Sequence, residues 1–272
     1  MPDQEYNEDY LLESDEEPLR LERQALIYGF EDDLRHLSLS SNERVLDAGC
    51  GSGSITRAIA KSSNRAQAVG VDREVKFIDY ATRKAASERI ENIEFKTGDV
   101  LNLPFEDECF DVVWSKHVLR WVGERQQALS EFKRVLKPNG RLICCNFDGF
   151  CEDHYPVDVE LHQNLVMWFE AAAKALGFDN RIGRKLPSMF LDADFADVTV
   201  DTLPDRAFSG FGGDPEKRWN WEIQWQNAIG FSAQVFGSME RAKQLGKRLV
   251  DLFDRQDVYV YCTLFYVEGR KP

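Results

Sequence analysis

The spacing of apolar positions changes several times along this chain, and each change marks an element. RVLDAG (44–49) is a short apolar run ending in glycine, and SITRAIAKSS behind it repeats its apolar positions at helical spacing. The same pair recurs as AQAVGVD and EVKFIDYATRKAASER. IEFKTGDV and FDVVWSKHV read as further strands, followed by the helix ERQQALSEFKRVL, the turn KPNG and the strand RLICCNF. Strands alternating with helices of this length predict parallel β-α-β units with right-handed crossovers, hence an α/β, doubly wound sheet. Upstream, LRLERQALIYGFEDDLRHL forms one helical face or two short helices interrupted at Gly29, with Pro18 where a helix begins.

Beyond Phe150 the rhythm alters. VDVELHQNLVMWFEAAAKALG predicts a long helix and FADVTVDTL a strand. An aromatic-rich insert runs from about 204 to 254, in which Trp221, Trp225 and Ile229 form one stripe at helical spacing. DVYVYCTLFYVEG closes the chain as a strand expected to be buried on both faces.

Charge narrows the choice of partner. The 272 residues carry a net charge of −13, and residues 1–17 supply acids without a single base. Such a chain is a poor match for an extended nucleic-acid surface, which needs Lys and Arg. No apolar run reaches the ~18 residues of a membrane span. The six cysteines form no C-x-x-C pair and no secretory signal precedes them, so free thiols in a reducing cytoplasm are expected. Cys144 and Cys145, neighbours on one strand, point to opposite faces and cannot converge on a soft metal, so no metal site is expected.

The stretch LDAGCGSGS carries the chemistry. A phosphate-cradling loop needs G-x-x-x-x-G-K-[ST], and no such Lys follows. The dinucleotide fingerprint fits Gly49 and Gly51, but Ser54 stands at its third position and Gly53 one place early. Asp47, at the carboxyl end of the strand, would repel a pyrophosphate and attract a ligand bearing an ammonium and a sulfonium, as S-adenosylmethionine (SAM) does. Asp72, at the tip of the second strand, suits two ribose hydroxyls. Asp99, after the third, suits an adenine amino group, with the Val100 backbone beside it.

With VLDAGCGSG, GVD, GDVLNLPFEDECFDVVWSKHVLRWV and EFKRVLKPNGRLI in this order, residues 43–148 resemble the class I SAM-dependent methyltransferases. The branch they are most similar to contains quinone-biosynthesis and natural-product enzymes. The resemblance implies a Rossmann-like seven-stranded sheet whose last strand is antiparallel. It implies SAM contacts from Asp47, Gly49, Gly51, Asp72, Asp99 and Val100, with Cys50 and Arg73 adjoining and Ser115 or Lys116 near the methionine end.

One domain in three stretches is expected: an acidic arm and lead-in helix acting as a lid (1–40), a SAM-binding core (41–150), and the rest of the sheet with acceptor-pocket helices (151–272). His117, after the fourth strand, is the candidate general base, the alternative being a packing role. Tyr10, Tyr28, Trp121, Trp221 and Trp225 are the candidate acceptor contacts, which points to a small, apolar or aromatic acceptor. Alternatives are a protein or RNA methyltransferase, a non-catalytic SAM-binding regulator and, more distantly, a nicotinamide oxidoreductase. Oligomeric state is not legible.

Overall fold

The computed structural model describes residues 16–40, 42–62, 66–205, 209–211 and 213–272. Two helices open it, α1 (Glu17–Tyr28) and α2 (Glu31–Leu37), divided at Gly29, whose φ of 66° turns the chain. Pro18 sits in the first turn of α1, where its missing N–H costs no bond. The alternating core follows as β1 (Arg44–Ala48), α3 (Ser54–Ser62), β2 (Gln67–Asp72), α4 (Val75–Ser87), β3 (Ile93–Thr97), β4 (Phe110–Lys116), α5 (Arg125–Val135) and β5 (Leu136–Tyr155). Then come α6 (Val159–Leu176), a 3-10 turn at Gly183–Lys185, α7 (Leu186–Asp192), β6 (Ala196–Pro204) and the two-residue β7 (Gly210–Phe211). The insert folds as α8 (Pro215–Asn227), α9 (Ile229–Phe236) and α10 (Met239–Asp251), and β8 (Tyr259–Arg270) ends the chain.

The strand order is β3-β2-β1-β4-β5-β8-β6, with β7 added on β8. β1 to β5 run parallel, while β8 lies antiparallel between β5 and β6. The doubly wound sheet with an antiparallel last strand is therefore present, with the short β7 as an eighth strand. The chain leaves β3 at one edge and re-enters at β4 beside β1. This reversal opens a crevice at the carboxyl ends of β1 and β4, the place where open α/β sheets hold ligands.

Side chains alternate across the sheet into two cores. Val45, Trp114, Ile143 and Cys145 face one way, toward Leu165, Trp168 and Leu249. Leu46, Val113, Leu142 and Cys144 face the other, toward Phe132 and Phe190. Cys144 and Cys145 thus separate as expected.

Four expectations need correction. β5 runs well past RLICCNF, because the long apolar β8 supplies pairing out to Tyr155, opposite Tyr259. KPNG falls within the assigned span of β5, where Asn139 takes the left-handed conformation at φ 62°. β8 is not buried on both faces throughout, since Tyr259 and Tyr261 point out while Val260 and Cys262 point in. Trp221, Trp225 and Ile229 do not share a helix, because α8 stops at Asn227 and Ile229 opens α9. Among the described residues no helix is long and apolar enough to cross a membrane.

Candidate active site: a glycine cradle opening into an aromatic chamber

A cavity of about 710 Å³ lies at the crevice between β1 and β4, within the ~300–1,000 Å³ range of ligand sites. Its floor at one end is the loop between β1 and α3. The backbone N–H groups of Gly49 and Cys50 both donate to the Val71 carbonyl, at 2.8 and 2.9 Å, which pins the loop to the end of β2. Gly49 has φ 80°, and a Cβ there would stand 2.3 Å from a Val118 methyl carbon. Gly53, at φ 71°, would drive its Cβ to 2.7 Å from Phe95 and Ala81. Gly53 thus does the close-packing work that the dinucleotide pattern assigns one position later.

Two carboxylates flank this loop. Asp47 is buried and takes a 2.5 Å hydrogen bond from the Thr56 hydroxyl. Burial pushes its pKa up to about 7 despite that bond. Asp72 accepts from the Gly51 N–H at 2.9 Å through one oxygen and from the Glu74 N–H at 3.1 Å through the other. Its pKa is raised by burial, with the two backbone donors opposing. Asp99 lines the same end and closes a turn onto the Leu101 N–H at 2.8 Å, beside Val100. Cys50 and Arg73 line the cavity too.

At the end of β4 the predicted pair divides. Ser115 is fully buried, is not among the lining residues, and gives its hydroxyl to the Ala48 carbonyl at 3.1 Å. Lys116 does line the cavity and contacts both oxygens of Asp33 on α2, at 3.0 and 2.8 Å. Burial opposes its charge, yet Asp33 and other nearby acidic groups lift its pKa above the ordinary lysine value. His117 follows with φ 62°, an uncommon conformation for a non-glycine residue. Burial, with Lys116 and Arg120 adding to it, holds its pKa well below the usual imidazole value, so the ring is neutral at pH 7.

Helix α1 roofs the cradle and joins it to the insert. Glu22 accepts from the Ser54 hydroxyl at 2.7 Å and pairs with Arg57 at 2.6 Å, both on α3. Arg20 is buried against the equally buried Glu17 and donates at 2.7 Å to the Asn220 side-chain oxygen on α8. Arg23 pairs with Glu216 at 2.7 Å on the outside.

The other end of the cavity is aromatic. Trp121 packs on Phe178 at 4.6 Å between ring centres, and Trp168 meets Phe169 and Phe231 edge-on. Trp168 donates its indole N–H to the Ser232 hydroxyl at 2.9 Å. Trp225 donates to the Ala242 carbonyl at 3.0 Å, and Trp221 stacks on Phe253 at 5.4 Å. Tyr28, Trp121, Trp221 and Trp225, the candidate acceptor contacts, all line the cavity. Tyr10 lies outside the described residues.

A family model described as a methyltransferase domain matches residues 39–194, more than half of the chain. This protein belongs to that family. It is a SAM-dependent methyltransferase. An uncharacterized methyltransferase of Schizosaccharomyces pombe is 27% identical over 223 residues, covering 80% of this chain and 79% of that one. A demethylmenaquinone methyltransferase of Lactiplantibacillus plantarum is 34% identical over 113 residues, covering 41% of this chain and 48% of the relative. This chain thus spans about half the length of that relative. Among solved structures, phosphoethanolamine N-methyltransferase 2 of Haemonchus contortus in complex with SAM superposes with a TM-score of 0.63 at 16% identity, covering 100% of this chain and 61% of that one.

The cavity fits the donor of such a methyltransferase. The glycine loop leaves its backbone clear of Cβ atoms on the cavity side, the buried Asp47 and half-buried Asp72 suit cations and hydroxyls, and among the described residues no cluster of cations offers itself to a pyrophosphate at this end. Sequence reasoning missed Arg20, Arg120, Phe147, Leu165, Trp168 and Phe178, all of which line the cavity. Trp168 and Phe169 were visible as an apolar helix face, which reads as plain core. Nothing marks Arg20 as buried within a stretch as charged as LRLER.

Proposed function

We propose that this methyltransferase moves the methyl group of SAM onto a small, largely apolar or aromatic metabolite, of quinone or secondary-metabolite type, in the cytoplasm. The observation that carries this reading is the continuity of the cavity, from the glycine cradle to the chamber lined by Trp121, Trp168, Trp221 and Trp225. An acceptor held there is enclosed and flat-sided, which suits a ring or an isoprenoid better than a protein or RNA strand. The net charge of −13 weighs against RNA as well.

When bound, SAM supplies an already activated methyl group. The protein's task is then to hold the nucleophile close and in line, and alignment of this kind accounts for much of the acceleration in such reactions. Asp72 takes the ribose hydroxyls, and Asp99 with the Val100 backbone takes the adenine edge. Asp47 and Lys116 set the electrostatics at the methionine end. The aromatic chamber excludes water and fixes the plane of the acceptor.

A labelled-methyl assay against a cell extract, fractionated into small molecules, RNA and protein, tests the reading. Label in an organic-extractable small molecule is the expected result. Label in protein or RNA overturns it, and SAM binding with no transfer in any fraction favours a regulatory binder.

A further inference from the structure

We infer that His117 serves the acceptor as a hydrogen-bond donor through Nε2–H, not as a general base, and that the acceptor therefore presents an anionic oxygen, a phenolate or enolate, to the methyl-transfer end of the cavity. The inference rests on the reading of this cavity as a methyltransferase site and names the class of acceptor it takes.

The argument starts from a three-residue chain. The Tyr28 hydroxyl donates to the Asp205 carboxylate at 3.1 Å and lies 3.4 Å from His117 Nε2. A phenol has one proton, and here it is directed at a carboxylate that only accepts when ionised. Tyr28 therefore turns a lone pair toward His117, and Nε2 must carry the imidazole proton. At 3.4 Å the contact is longer than an ordinary N–H···O bond of 2.7–3.2 Å, so this donor is under-used and can be shared with a ligand oxygen.

The other ring nitrogen points to the same tautomer. Nδ1 is buried, with no partner among the described residues. As a bare lone pair it leaves no orphaned donor, whereas as N–H it would. Being shut away, it is also badly placed to take a proton from a ligand. A base would have to act through this buried nitrogen, while the nitrogen at the Tyr28 side already holds its proton. Burial, with the lysine and arginine beside the ring adding to it, keeps it neutral, so it polarises an oxygen as a neutral donor. A neutral imidazole used as an electrophile has a precedent in isomerase chemistry.

The transfer then balances without a protein base. The acceptor loses its O–H or α-C–H proton to solvent on binding, favoured by the Nε2–H···O⁻ bond. An electron pair of the anion, on oxygen or on the carbon conjugated to it, forms the new bond to the methyl carbon. The S–C bond breaks and leaves its pair on sulfur, so the positive and negative charges cancel in a water-poor cavity. Tyr28 and Asp205 are positioning residues, reaching the acceptor only through the tautomer they impose.

Ring-nitrogen NMR on histidine-labelled full-length protein, with His117→Gln used to assign the signal, tests the tautomer without any acceptor. The expected result at neutral pH is a neutral ring with the proton on Nε2. Asp205→Asn should invert it, because an amide can donate to the phenol oxygen and turn the phenol proton toward Nε2. Tyr28→Phe, which keeps the ring packing, should release the lock and mix the tautomers. A proton on Nδ1 in the wild type, or an Asp205→Asn spectrum identical to it, overturns the inference.

The acceptor recovered from the labelled-methyl assay gives a second readout. His117→Ala should lower kcat about 100-fold, as loss of an oxyanion donor does. His117→Gln, which retains a donor, should restore most of it, and His117→Glu, which offers a base and no donor, should not. Rescue by Glu and not by Gln overturns the donor role. If no small molecule is labelled, the metabolite reading fails while the NMR result still decides the tautomer.

Discussion

At one end of the cavity the wall is backbone and carboxylate; at the other it is indole and phenyl. The first end is built within 51 residues of chain, from Gly49's loop, Asp72 and Asp99 at the tips of neighbouring strands. The second collects side chains from α1, α6, α8 and the segment after β4, which only tertiary packing brings together. The two ends are held to each other by α1, which grips α3 through Glu22 and α8 through Arg20. The donor end therefore has its geometry set by local backbone demands. The acceptor end takes its shape from packing and can vary without disturbing the cradle.

Breaking the connection between the ends should have the largest effect. Arg20→Ala strands the buried Glu17 carboxylate, and loss of one partner of a buried pair costs about 3–5 kcal/mol. Denaturant unfolding should show that loss, and acceptor KM should rise with it. Asp72→Ala is next: removing a charged acceptor of hydrogen bonds should weaken SAM binding by about 10–100-fold in calorimetry, with acceptor KM little changed.

Acidity sharpens the donor end further. Asp47 titrates near 7 in the folded protein, above its ordinary value. A cationic ligand favours its ionised form, so SAM affinity should rise with pH up to about 7 and level off above it, by up to about tenfold per unit below that point. The same shift means that the folded protein binds a proton the unfolded chain has released. Asp47's contribution to stability is therefore lost as pH climbs from the ordinary carboxylate range through 7. Flat SAM affinity across pH 6–8 would remove Asp47 from the ligand's surroundings. The smallest effect belongs to Arg23→Ala, whose half-exposed pair with Glu216 should cost about 0–1 kcal/mol and leave both ligands' affinities unchanged.

The contrast also explains what could be read from the sequence. Short apolar strands ending in Gly49, Asp72 and Asp99 announce their own backbone, because parallel strands and glycine turns have strong local signatures. The fold class follows from these, whereas the antiparallel last strand came only as what the resemblance to the family implies. Of Ser115 and Lys116 only the lysine lines the cavity, because a residue one place before Lys116 on a strand faces the opposite way, into the Ala48 backbone. Trp168, Phe178 and Arg120 gave no signal, since an aromatic on a helix face looks the same whether it lines a cavity or fills a core. Tyr28 and Asp205 lie 177 residues apart, and no spacing rule would join them.

The most direct test of a single cavity with a donor end and an acceptor end is a crystal structure with S-adenosylhomocysteine. The account predicts ribose hydroxyls on Asp72, adenine beside Asp99 and Val100, and a sulfur turned toward His117 and the aromatic chamber. Adenosine lodged among Trp121, Trp168 and Trp225, or a sulfur facing away from them, would contradict it.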